Sequence, residues 1–92
     1  MKFLMLGKYS QEAIKGIKKE RTAKAKKLIK NCGGKIEAMY VLLGGFDLAF
    51  VVDFPSLKEA YKASVSLTKI TAIGFNSFPA ITVEEFDKLL GW

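Results

Sequence analysis

Asp47 and Tyr40 are the residues of this sequence whose types and spacing could do chemistry. A carboxylate and a phenol on adjacent strands of one hairpin can serve as general base and proton donor once an apolar cavity keeps water out. The hairpin is written in Leu42-Leu43-Gly44-Gly45-Phe46-Asp47-Leu48, where paired glycines separate two strongly apolar runs. With a two-residue turn at Gly44-Gly45, Leu43 pairs with Phe46, Leu42 with Asp47, Tyr40 with Ala49 and Ala38 with Val51. Tyr40 then lies diagonal to Asp47 on one sheet face, and these two are the expected ligand contacts. Asp47 also has a structural reading, as an acceptor for backbone amides or for a partner residue at a subunit seam. Tyr9 and Asn76 are further polar candidates on a central and an edge strand, and Asp53 beside Phe54-Pro55 reads as a cap for the helix that follows.

Little other chemistry is written in the chain. There is no histidine, and the one cysteine, Cys32, excludes an intrachain disulfide and has no imidazole to activate it. Only scattered oxygen ligands remain, so neither a metal site nor a cofactor is expected. Gly7-Lys8-Tyr9-Ser10 resembles the end of a phosphate loop, but Lys2 stands where the first glycine belongs and Tyr9 where the lysine should be followed by Ser or Thr. It reads as strand-to-helix punctuation. Gly44-Gly45 precedes a strand, so it lacks the helix amino terminus that holds phosphate.

The net charge of +6 sits in one place. Between Gln11 and Lys30 eight basic residues face only Glu12 and Glu20, so this segment carries the whole excess. A lysine-rich helix face usually serves solubility; the alternative is a stripe that binds anions or nucleic acid. RNA recognition on the sheet would need stacking aromatics on strands one and three. Strand three offers Asp47, Ala49, Val51 and Asp53 instead, so nucleic acid is not an expected partner of the sheet.

A chain of 92 residues, half of it apolar, suits a single folded domain over residues 1–92. The longest apolar run, Ala38 to Phe46, is far too short to span a bilayer, and Met1 to Leu6 has no long apolar core of a signal peptide. No membrane association and a cytoplasmic address are expected.

The elements follow from periodicity and punctuation. Residues 2–9 form a first strand, and Ser10 caps a helix whose apolar stripe is Ile14, Ile17, Ala25, Leu28 and Cys32, ended by Gly33-Gly34. Gly16 weakens its first turns. Strand two runs from about Lys35 to Leu43, and strand three from Phe46 to Phe54, where Pro55 stops the ladder. Ser56-Leu57-Lys58-Glu59 is a capping box for a second helix reaching about Ile70. Strand four spans Ala72 to Ile81, with Pro79 tolerable at a sheet edge, and Thr82-Val83-Glu84-Glu85 opens a last short helix closed by Gly91.

This order is the βαββαβ pattern of ferredoxin-like α+β domains with a terminal helix added. Right-handed crossovers give an antiparallel sheet of order 4-1-3-2 with helices on one face only. Parity sends Met39, Val41, Leu43, Phe46, Leu48, Phe50, Val52 and Phe54 under the helices. Ile36, Ala38, Tyr40, Leu42, Asp47, Ala49, Val51 and Asp53 line the bare face. A solvated sheet face should be polar, and this one is mostly apolar, so a second copy is expected to cover it. Ile36, Ala38, Leu42, Ala49 and Val51 are the expected dimer contacts.

Gly45-Phe46-Asp47 inside the hairpin, Gly33-Gly34-Lys35 ahead of strand two and the element order over essentially the whole chain resemble the GYD domain family. That resemblance implies a ferredoxin-like subunit of the dimeric α/β-barrel type and no established activity. Phe46 stands where the name-giving triplet has tyrosine, so no role can rest on that hydroxyl here. Three function classes stay open: a homo-oligomeric binding or assembly module enclosing a small ligand between facing sheets, a cofactor-independent enzyme with Asp47 as base and Tyr40 as donor, and an anion-binding protein working through the lysine-rich helix.

Overall fold

Local chemistry sets where each helix starts and stops. Ser10 Oγ accepts from the Ala13 amide at 3.0 Å and opens α1 (Gln11–Lys15); Thr82 Oγ1 accepts from the Glu85 amide at 3.0 Å and opens α4 (Val83–Leu90). Between them the chain, described over Met1–Trp92 by a computed structural model, forms α2 (Lys19–Asn31) and α3 (Leu57–Thr71). The strands are β1 (Lys2–Tyr9), β2 (Lys35–Val41), β3 (Leu48–Asp53) and β4 (Ile73–Ala80). They make one antiparallel sheet of order β2-β3-β1-β4, the expected ferredoxin-like arrangement. No helix is long and apolar enough to cross a membrane.

The core lies between the sheet and α2 with α3. Phe3 and Met5 of β1, and Phe50 and Val52 of β3 with Phe54 just beyond it, are buried against Ala25, Ile29, Ala60, Ala63 and Leu67. Alanines on the inner helix faces let the backbones approach the large sheet side chains closely. Phe3 and Phe54 meet edge to face at 5.8 Å. Gly34 is required by this packing, because a Cβ there would lie 2.6 Å from the Phe54 ring and 2.7 Å from Ile29 Cγ2.

Three expectations are corrected. The first helix is broken: α1 ends at Gly16, and α2 starts only at Lys19. Gly16 gives α1 a loose end, and Arg21 Nη1 reaches back to donate to Ala13 O at 2.7 Å, which stabilises the break. The interruption resets the helical phase, so Ala13 and Ile29 are buried while Ile14 and Ile17 are exposed.

The hairpin is also looser than a two-residue turn. Pairing ends at Val41 with Leu48, leaving residues 42–47 as a loop, although Tyr40 opposite Ala49 and Ala38 opposite Val51 are as expected. The Asp47 amide donates to Gly7 O at 2.8 Å, drawing that end of β3 toward β1 and away from β2. One bond of the closed hairpin survives, from Leu42 N to Asp47 O at 2.8 Å. Leu43 consequently projects into solvent and Val41 is exposed at the sheet edge, so neither belongs to the core.

The third correction is Ile36. A bulge at Glu37 inserts one residue between the pairs Ile36–Val52 and Ala38–Val51, which turns Ile36 to the helix side, where it packs on the core. The bare face therefore holds Ala38, Val51, Leu4 and Phe78 in one row and Tyr40, Ala49, Leu6 and Asn76 in the next. A charged row closes one end, where the bulged Glu37 pairs with Lys2 at 3.1 Å.

Candidate ligand site

The helix break that the sequence only hinted at borders an apolar cavity. It lies on the helix side of the sheet, has a volume of about 260 Å³, and is lined mostly by apolar side chains. Leu48, Phe50 and Ile73 form its buried sheet side, with Met39 and Phe75 beside them, and Ala25 and Leu67 contribute from α2 and α3. Ile17, Lys18, Arg21 and Thr22, the residues at and after the break, form the exposed rim together with Tyr40 and Val41. A continuous helix through Gly16 would carry these residues past the opening rather than around it.

Gly7 and Ala25 keep the space open. A Cβ on Gly7 would come within 2.8 Å of the Phe75 ring, so glycine lets that ring lie across β1, 5.5 Å from the Phe50 ring. Ala25, buried on α2, leaves room that a larger residue would fill.

The polar groups around the cavity have one character. No carboxylate lines it, and neither Lys18 nor Arg21 forms a salt bridge. The Tyr9 hydroxyl has no hydrogen-bond partner in the protein, whereas Thr71 Oγ1 is used in the turn after α3, donating to Leu67 O at 2.6 Å and accepting from Ile73 N at 3.2 Å. Lys18 also sits at the amino end of α2, where the macrodipole disfavours a cation, whereas the Arg21 guanidinium is turned to the carboxyl end of α1 through Ala13 O. An apolar chamber with unpaired positive charge at its rim can hold a small molecule that joins an apolar body to an anionic or acceptor group.

Of the residues singled out in the sequence, Tyr40 borders this cavity and Asp47 does not. Asp47 Oδ2 accepts from the Tyr9 amide at 2.8 Å while its own amide donates to Gly7 O, so one residue extends the β1 ladder with both its backbone and its side chain. Tyr40 and Asp47 form no hydrogen bond with each other. Tyr9 itself lines the cavity, which makes Asp47 a support for the strand segment that carries it. Asn76 is on the bare face, opposite Leu6. Lys18, Arg21, Met39, Phe50 and Phe75 line this cavity on the helix side and are not among the residues that the hairpin parity places on the bare face; the sequence signal for them is Gly16 interrupting a helix just before Lys18.

The family model of the GYD domain matches residues 3–90. The chain belongs to the GYD domain family. The Gly45-Phe46-Asp47 segment acquires a physical meaning in this GYD domain, because the aspartate joins the hairpin loop to the end of β1 through two bonds of 2.8 Å. No curated protein matches the chain.

Proposed function

We propose that this GYD domain is a homodimeric binding module that takes a small, largely apolar molecule bearing an anionic or acceptor group into the cavity between its sheet and α2. The observation that carries this reading is the cavity's lining, apolar within and rimmed by the unpaired cations Lys18 and Arg21. A cavity of about 150 Å³ accommodates benzene, so 260 Å³ suits a molecule of one or two rings. Tyr9 would offer its free hydroxyl to the polar end, and Arg21 and Thr22 would flank it. The cost of leaving Lys18 at the amino terminus of α2 is offset when an anion binds there.

The dimer part of the proposal rests on the bare sheet face. Leu4, Leu6, Ala38, Val51, Tyr40 and Phe78 form a continuous apolar surface over all four strands, on the side that no helix covers. A self-complementary two-fold pairing of this surface would bury it and leave the two ligand cavities on the outer faces. This differs from a ligand enclosed between facing sheets.

The test is binding of anilinonaphthalene sulfonate, an aromatic anion whose fluorescence rises in apolar surroundings. Saturable binding at one site per chain is expected, and Ala25→Phe, which occupies the cavity, should weaken it at least tenfold, with circular dichroism checking that the overpacked variant still folds. Unchanged binding to Ala25→Phe would contradict the assignment.

A further inference from the structure

The terminal helix α4 has an apolar side that its own subunit leaves uncovered. Phe86 and Leu90 recur at helical spacing, Leu89 stands beside them, and none of the eight residues of α4 is buried. The molecule is accordingly elongated, 49 Å by 29 Å by 17 Å. The arm is nonetheless organised: the Trp92 ring meets Phe86 edge to face at 6.1 Å, and its indole Nε1 donates to Asp87 Oδ1 at 3.0 Å. Trp92 remains 78 % exposed and Leu89 76 % exposed. A helix capped at both ends that leaves an aromatic cluster exposed has the composition of a surface that meets a partner.

Two features point to a second copy of this chain as its partner. First, the root of α4 stands on the bare-face end of the sheet, where Ile81 and Glu85 share a groove with Lys2, Glu37 and Asp53. An arm leaving from that end continues the surface assigned above to the dimer. Second, α4 carries Glu84, Glu85 and Asp87 against the single Lys88, in a chain that is otherwise strongly basic. At the same end of the sheet, beside the start of β2, Lys26, Lys30 and Lys35 surround a groove floored by Gly34 and Ile36. An acidic amphipathic helix and a lysine-rimmed groove are complementary in sign.

We infer that α4 is an exchanged arm, which in the dimer lays Phe86, Leu89 and Trp92 into the lysine-rimmed groove between α2 and β2 of the other copy. The inference rests on the homodimer reading given above. It would make the dimer depend on two surfaces, the sheet face and the arm, so that the β2 edge is covered as well as the bare face.

Trp92 is the only tryptophan of the chain and so reports on the arm directly. Its emission and its quenching by acrylamide should be measured together with the molar mass in solution. The proteins are the wild type, Val51→Glu and Lys26→Glu/Lys30→Glu, with N-acetyl-tryptophanamide as the fully exposed reference. The expected result is a wild-type dimer with blue-shifted, protected Trp92. Protection should be lost in the Val51→Glu monomer and weakened in the lysine double variant, with the emission moving toward the reference. A wild-type dimer whose Trp92 is quenched like the reference overturns the arm and leaves the sheet-face dimer standing. Protection undiminished by reversing the two lysines overturns the groove as its seat, and a wild-type monomer overturns the arm and the dimer together.

Discussion

The backbone amide of Tyr9 donates to the carboxylate of Asp47 across 2.8 Å, linking the end of β1 to the hairpin loop. The same aspartate binds Gly7 O through its own amide, so a single loop residue holds the strand segment from which Tyr9 reaches the cavity.

Removing that carboxylate should cost stability. Asp47→Ala leaves the part-buried Tyr9 amide without its acceptor, a loss of about 1–3 kcal/mol. Asp47→Asn retains an oxygen in place and should lose less. Chemical denaturation of the three proteins gives the order wild type, Asn, Ala; an alanine variant as stable as the wild type would show that the bond contributes nothing.

The sheet-face dimer predicts a monomer when Val51, at the centre of the bare face, becomes glutamate. Burying an unpaired carboxylate in an apolar seam is strongly unfavourable. Light scattering at protein concentrations of about tens of micromolar, where ordinary dimers remain associated, should give twice the chain mass for the wild type and the chain mass for Val51→Glu.

Charge at the cavity rim should matter to anions alone. Replacing Lys18 and Arg21 by Met should weaken anilinonaphthalene sulfonate several-fold while the neutral phenylnaphthylamine binds within about twofold of the wild type, because the two probes share an apolar body and differ in charge. Equal losses for both would mean that the substitutions disturb the cavity rather than its field. Since Arg21 also holds the end of α1 through Ala13 O, the melting temperature of the variant is the necessary companion measurement.

Glu59 supplies a pH dependence. The Ser56 hydroxyl donates to its carboxylate and, with the backbone amides at the start of α3, holds its pKa below the ordinary 4.5. A carboxylate whose folded pKa is depressed adds stability that is present above the unfolded value and is lost as the pH falls through the folded one. Glu59→Gln should therefore be less stable than the wild type at neutral pH, and the difference should shrink as the pH drops below 4.5. A gap that is constant with pH would place the effect in packing instead.

Ala72 closes α3 with φ at 60°, the one left-handed residue of the chain that is not glycine. The strain there is about 1 kcal/mol, and Ala72→Gly should relieve it and raise the melting temperature measured by calorimetry; a lowered melting temperature would show that the Ala72 methyl contributes more through packing than its backbone costs.

The sequence made the sheet order legible because β1, β3 and β4 are punctuated by residues with strong local effects, Ser10, Pro55, Ser56 and Thr82, and because the unbroken apolar run from Leu48 to Val52 reads as a strand covered on both faces. The exceptions were tertiary in origin. Glu37 gives no local sign that it bulges, yet the bulge decides that Ile36 joins the core. The loop at residues 42–47 opens because Asp47 binds Tyr9 of β1, 38 positions away and beyond the reach of any turn rule. Gly16 was visible as a weak point, but that the weakness becomes the mouth of a cavity depends on Met39, Phe50 and Phe75 lying beneath it.

The central claim is that the helix-side cavity is the binding site, and amide chemical shifts under titration with anilinonaphthalene sulfonate test it most directly. The account predicts saturating shifts at Thr22, Ala25, Met39, Phe50 and Phe75, around the cavity, with Leu4, Val51 and Phe78 on the opposite face unmoved. Shifts confined to Leu4, Val51 and Phe78, or to α4, would contradict it and return the ligand to the bare face or the arm.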